Sequence, residues 1–150
     1  MKPPLLIEID LLGSPEQSVA AHWLPLLASL NQADRPLVLL AARPARWTPT
    51  RNQVDRAFMR QATIEADLRR AGGALDAVVY LDFGLFVRKR QFERVLADLA
   101  NRYNCSLGSI EAIVPKGRIC ETVRPLVGIT VEVNDEAAFE QALREQIRRD

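Results

Sequence analysis

Two carboxylates stand two positions apart in the apolar run LLIEIDLLGS, Leu5 to Ser14: Glu8 and Asp10. Acids at i and i+2 on one strand are how several phosphoryl-transfer enzymes present a nucleophile and the group that assists it. Cations gather at the ends of other apolar runs. Arg43, Arg46 and Arg51 share the loop ARPARWTPTR with Trp47 between them, Arg88, Lys89 and Arg90 are consecutive, and Lys116 and Arg118 follow Pro115. Arginine suits bidentate contacts to phosphate or carboxylate, so one chemistry open to this set is anion binding. The other is charge balance in a structural ion-pair cluster, with the 42–51 loop simply solvated. Three consecutive cations at a helix start oppose the helix dipole, which favours a use for 88–90 as an anion holder or as a partner for acids elsewhere.

The elements that must position these groups follow from the apolar pattern. Residues 4–10, 37–42, 75–82, 110–115 and 127–133 are short runs rich in Leu, Ile and Val with little polar alternation, as in strands buried on both faces of a parallel sheet. Between them lie helical periodicities. Over 52–71, Val54, Phe58, Ala62 and Leu68 fall near one face, and Gly72-Gly73 forms a stop. Around 91–103, Phe92, Val95, Leu96, Leu99 and Tyr103 keep helical spacing. The last helix takes Asn134 or Asp135 as its cap and buries Phe139, Ala142, Leu143 and Ile147. Ser14-Pro15-Glu16-Gln17 resembles a capping box, after which Pro25 must start a second helix or kink the first.

This alternation predicts a doubly wound α/β domain with a mostly parallel five-stranded sheet, helices on both faces and right-handed crossovers. Ligands of such sheets bind beyond the carboxyl ends of the strands. That rule points to Glu8 and Asp10 and to the loops at 42–51, 82–90 and 115–118.

Composition narrows the function classes. A chain of 150 residues, 48% hydrophobic, suits a single domain with a self-sufficient core. A net charge of +1 supplies no global field for nucleic acid or an acidic membrane. Lys2, Lys89 and Lys116 are the only lysines. Cys105, Cys120 and His22 cannot by themselves make a Cys/His zinc site, and free buried thiols are expected rather than a disulfide. No apolar stretch has signal-peptide length or approaches the roughly 20 residues of a membrane span, so a soluble cytoplasmic protein is expected.

The chain resembles the haloacid dehalogenase (HAD) superfamily, and within it the small capless heptose-bisphosphate and histidinol-phosphate phosphatases. The segments RPLVLLAARPAR, LRRAGGALDAVVYLD, VRKRQFERVLADLANRYN and SLGSIEAIVPKG carry the likeness, in the family's order and over nearly the whole chain. It implies one HAD-like domain over 1–150 with no cap domain. The family's first motif, DxDGT, falls on Glu8, Ile9, Asp10, Leu11 and Leu12. Glu8 thus replaces the nucleophile with a carboxylate reaching about 1.5 Å further, and misplacements of about 1 Å can cost about a hundredfold in rate. The Thr or Ser that holds the phosphoryl group falls on Ala41, and the Asn after it on Ala42. The family lysine falls on Lys89 after a one-residue slip, or on Arg88 or Arg90. The Gly-Asp pair that binds Mg²⁺ falls on Pro115 and Lys116, and the zinc loop on Leu81 and Phe83.

These departures imply that the Lys116 ammonium takes the metal's place and pairs with Asp10 or Glu8. The expected function is a phosphatase-fold binding or regulatory module for a protein or an anionic metabolite, with no metal or cofactor. Arg43, Arg46, Arg88, Lys89, Arg90 and Lys116 are its candidate anion-binding residues. The alternative is a divergent Mg²⁺-dependent phosphatase that uses Glu8 and Asp10 on a small phosphomonoester.

Overall fold

The apolar runs become five strands, β1 (Leu5–Glu8), β2 (Leu37–Ala42), β3 (Ala77–Leu81), β4 (Glu111–Val114) and β5 (Ile129–Glu132), in a computed structural model that describes residues 2–14, 19–43, 51–84 and 88–149. All pair in parallel, in the order β3-β2-β1-β4-β5. β1 is central: Leu5 lies opposite Leu37 on one side and Glu111 on the other. Its residues Leu5, Leu6 and Ile7 are fully buried, each side chain contributing about 1.5–3 kcal/mol by leaving water.

Strand alternation feeds two cores. Leu5, Ile7, Leu37 and Leu39 face α1 (Leu24–Gln32), α2 (Arg51–Arg70) and α5 (Glu136–Arg149). Leu6, Val38, Leu40, Ala112 and Val114 face α3 (Lys89–Arg102) and α4 (Arg118–Val123). The doubly wound five-stranded arrangement is as expected.

Several local expectations hold for the reasons given. Pro25 sits in the first turn of α1, where its missing N–H costs nothing. Asp135 caps α5, its Oδ1 accepting from the Ala138 N–H at 2.7 Å. Phe139, Ala142 and Leu143 are buried behind it. Cys105 and Cys120 are free thiols, the second buried. The capping box at 14–17 falls largely outside the described residues.

Two expectations are corrected. α2 buries Ile64 and Leu68, whereas Val54 is 40% and Phe58 61% exposed and Ala62 is exposed. The apolar set at 54, 58 and 62 drifts around the helix away from Leu68, so it does not share the core face. Strand β1 also ends at Glu8. Residues Ile9–Leu11 form a 3-10 turn closed by the Leu12 N–H on the Ile9 carbonyl at 3.1 Å, so Asp10 stands on a turn and not on the strand.

Candidate functional site

The strand order reverses direction between β1 and β4, which opens a crevice beyond their carboxyl ends. A cleft of about 770 Å³ lies there, within the roughly 300–1,000 Å³ of small-molecule sites. The turn after β1 contributes Asp10, Gly13 and Ser14, the end of β4 contributes Pro115 and Lys116, and the start of α5 contributes Asp135 and Glu136. Trp23 and Phe139 supply its apolar wall, their rings 4.8 Å apart edge to face. Both rings are almost fully buried, so this wall is part of the core and its shape is set by packing.

The two acids separate. Asp10 lines the cleft, and Glu8 does not. Glu8 ends β1 beside Leu40 and is half-buried. Burial, with the nearby Asp10 charge adding to it, pushes the Glu8 carboxyl up from 4.5 to about 7.

Asp10 is held by a residue that the sequence reading passed over. Arg60, on α2, places Nη1 at 3.0 Å from Asp10 Oδ1. Its Nη2 donates to the Gly13 carbonyl at 2.8 Å and the Ile9 carbonyl at 3.4 Å. One guanidinium thus spans the whole turn after β1. Its side chain is 13% exposed against 59% for Asp10, and its Nε is buried without a partner among the described residues. The signal for Arg60 was its place four residues before Ile64 and eight before Leu68, on the stripe that α2 buries. A cation on a buried stripe must find an acceptor.

Lys116 shares the cleft with Asp10 and is exposed. Among the described residues it forms no ion pair with Asp10 or Glu8; Arg60 makes the Asp10 pair instead. The other cations do not gather around the acids. Arg43 pairs with Asp82 at 3.7 Å and lines a separate groove between β3 and α3. Arg88, Lys89 and Arg90 are exposed at the start of α3, and Lys89 lines another groove, against α4, with Phe92 and Leu126. Arg46 and Trp47 lie outside the described residues. Among the described residues, Lys116 is the one cation lining the cleft. Arg118 stacks instead over the Phe83 ring, its Cζ 4.5 Å from the ring centre.

The chain matches no protein-family model and no curated protein sequence. Its fold recurs in solved structures. A D,D-heptose 1,7-bisphosphate phosphatase from B. bronchiseptica, complexed with magnesium and phosphate, superposes with a TM-score of 0.68 at 20% identity, over 97% of this chain and 99% of that one. The corresponding enzyme from Burkholderia thailandensis gives 0.56 at 15% identity, over 95% and 99%. An uncharacterized protein from Corynebacterium glutamicum gives 0.60 at 18% identity, over 99% and 94%. The fold is therefore the HAD-like, Rossmann-type α/β fold.

A magnesium site calls for several oxygen ligands around one point. Among the described residues no three His, Cys, Asp or Glu side chains come together in that way. Asp10 is engaged by Arg60, and the β4 end offers an ammonium. The described residues thus assemble no set of three such ligands for the ion, and place a guanidinium and an ammonium near the one carboxylate on the turn after β1.

Proposed function

We infer that the chain is a HAD-fold binding module that does not carry out metal-dependent phosphate hydrolysis, and that the cleft between β1, β4 and α5 receives an anionic metabolite or a segment of a protein partner. The observation that carries this reading is the Arg60–Asp10 pair. The guanidinium at 3.0 Å from Asp10 Oδ1 puts a fixed positive charge beside the carboxylate that a divalent cation would have to share. Two further features support it. Glu8, at the position of the family nucleophile, lies outside the cleft lining, and Lys116 stands at its rim as a counter-charge for an anion.

A second reading is favoured by one observation. The Glu8 carboxyl, pushed up to about 7, matches the range in which a carboxylic acid transfers protons near neutral pH. On that reading the chain is a divergent phosphatase acting on a small phosphomonoester.

Phosphate release separates the two. Wild type, Glu8→Gln and Asp10→Asn are assayed with D,D-heptose 1,7-bisphosphate and an aryl phosphate, with and without Mg²⁺, while circular dichroism reports folding. Folded protein with no release supports the binding module. Release that depends on Mg²⁺ and disappears in either variant establishes the phosphatase.

A further inference from the structure

Strand β3 closes the sheet on one side, and among the described residues no strand pairs with its outer edge. Its sequence AVVYL contains no charge, proline or glycine. Proteins usually blunt a free edge with one of these, because its unpaired N–H and C=O groups are a template for another strand. The opposite edge strand, β5, carries Glu132. Among the described residues β3 is thus the undefended edge.

Apolar and charged groups flank it on both faces. On the α3 side a groove of about 300 Å³ runs along Ala77, Val78 and Val79 beneath Asp98 and Arg102. Val95, 38% exposed, stands where this groove meets the next one, beside Tyr80. Arg94 lines that second groove with Leu81 and Asp82. Helix α3 therefore runs antiparallel to β3, and the point of the helix level with Val79 falls between Val95 and Asp98. On the other face Gln61 of α2 accepts a hydrogen bond from the Tyr80 hydroxyl at 2.9 Å. One turn before it, Phe58 is 61% exposed.

We propose that this edge is a self-association surface: two copies pair their β3 strands antiparallel about Val79, joining the sheets into one. The occupant is a second copy because the charges on α3 are self-complementary under that symmetry. A two-fold axis at Val79 sets the α3 helices antiparallel with their midpoint near residue 96. Arg94 of each copy then faces Asp98 of the other, making the same ion pair twice, as an isologous interface requires. Both residues are exposed, and within the chain neither has an ion-pair partner among the described residues, although Asp98 has Arg94 four positions before it and Arg102 four after. Strand pairing alone would bury too little for a stable dimer, which needs at least about 1,000 Å². The α3 stripe and Phe58 supply the remaining contact. The surface is two strands away from the β1–β4 crevice, so it stands independently of the function proposed for the cleft.

Sedimentation velocity on the full chain over a dilution series tests this with charge swaps. Wild type is expected to dimerise. Arg94→Asp and Asp98→Arg, each placing like charges opposite one another, are expected to weaken the dimer about tenfold or more. The double variant Arg94→Asp/Asp98→Arg restores it. Both positions are exposed, and circular dichroism checks the fold of each variant. A wild type monomeric at every concentration, single variants that dimerise like wild type, or a double variant no better than the singles would each overturn the proposal.

Discussion

Arg60 reaches back fifty positions along the chain to put its guanidinium on Asp10 at 3.0 Å and on the Gly13 carbonyl at 2.8 Å. The contact joins α2 to the turn that ends the central strand, so the front of the cleft is braced by a helix from the far side of β2. Its two partners differ in exposure, and the difference sets what each is worth.

Removing the guanidinium with Arg60→Met leaves the Asp10 carboxylate and two carbonyls without their donor. The expected loss is about 1–3 kcal/mol, the range for leaving a buried polar group without its partner. Asp10→Asn keeps an acceptor in place on a largely exposed side chain and should cost less than about 1 kcal/mol. Urea denaturation of the two variants checks the order; an Asp10→Asn cost exceeding that of Arg60→Met would contradict it.

Glu8 makes stability depend on pH in an unusual direction for a carboxylate. Its folded pKa of about 7 lies above the ordinary 4.5, so between these values the folded state holds a proton that the unfolded state has released. Stability therefore falls as pH rises from about 5 to about 7, by about 1–2 kcal/mol once screening of this half-buried group is allowed for. Glu8→Gln removes that contribution. The variant should match wild type near pH 4 and exceed it near pH 8 in thermal unfolding. A wild-type advantage at the higher pH would reverse the assigned direction.

Gly128 is required by a close approach. Its N–H donates to the carbonyls of Leu107 at 3.1 Å and Ile110 at 3.0 Å, and a methyl group on its Cα would run into the Gly108 carbonyl. Backbone cannot swing aside as a flexible side chain can. Gly128→Ala should cost about 3 kcal/mol or more. Gly108→Ala is the control, since its nearest neighbour would be the Ser106 hydroxyl at 4.0 Å; equal losses in the two would remove this explanation.

Asn31 fastens two loops with one amide. Its Nδ2 donates to the Arg35 carbonyl at 3.2 Å, and its Oδ1 accepts from the Ala74 N–H at 2.8 Å. Asn31→Asp keeps the acceptor and loses the donor; Asn31→Ala loses both. The expected losses by denaturant titration are about 1 and about 2 kcal/mol respectively. A larger cost for Asn31→Asp than for Asn31→Ala would show that the bond to Ala74 contributes little.

The five strands, the sheet class and the start of α5 were legible in the sequence because each is dictated over a few neighbouring residues. Runs such as LVLLAA have no polar face to turn toward water, so they must lie between two helical layers. Asp135 announces a cap because its carboxylate reaches an N–H only three residues on. The same local logic placed Glu8 at the end of the first strand, though Asp10 belongs to the turn that follows it.

The tertiary structure alone decided which of the charged residues meet. Eight carboxylate and cation positions read as one cluster when all were referred to strand ends. A strand end, however, sets only the height of a residue; its bearing depends on the turn that follows. The 3-10 turn after Glu8 carries Asp10 into the cleft and leaves Glu8 behind. Helix α2 is rotated so that Ile64 and Leu68 face the core, and that rotation delivers Arg60 to Asp10 while leaving Phe58 in solvent. Lys116 shares the same cleft but, among the described residues, the carboxylate is paired with Arg60, whose guanidinium also reaches two carbonyls of the turn. Such outcomes rest on contacts between segments fifty residues apart, which no local periodicity encodes.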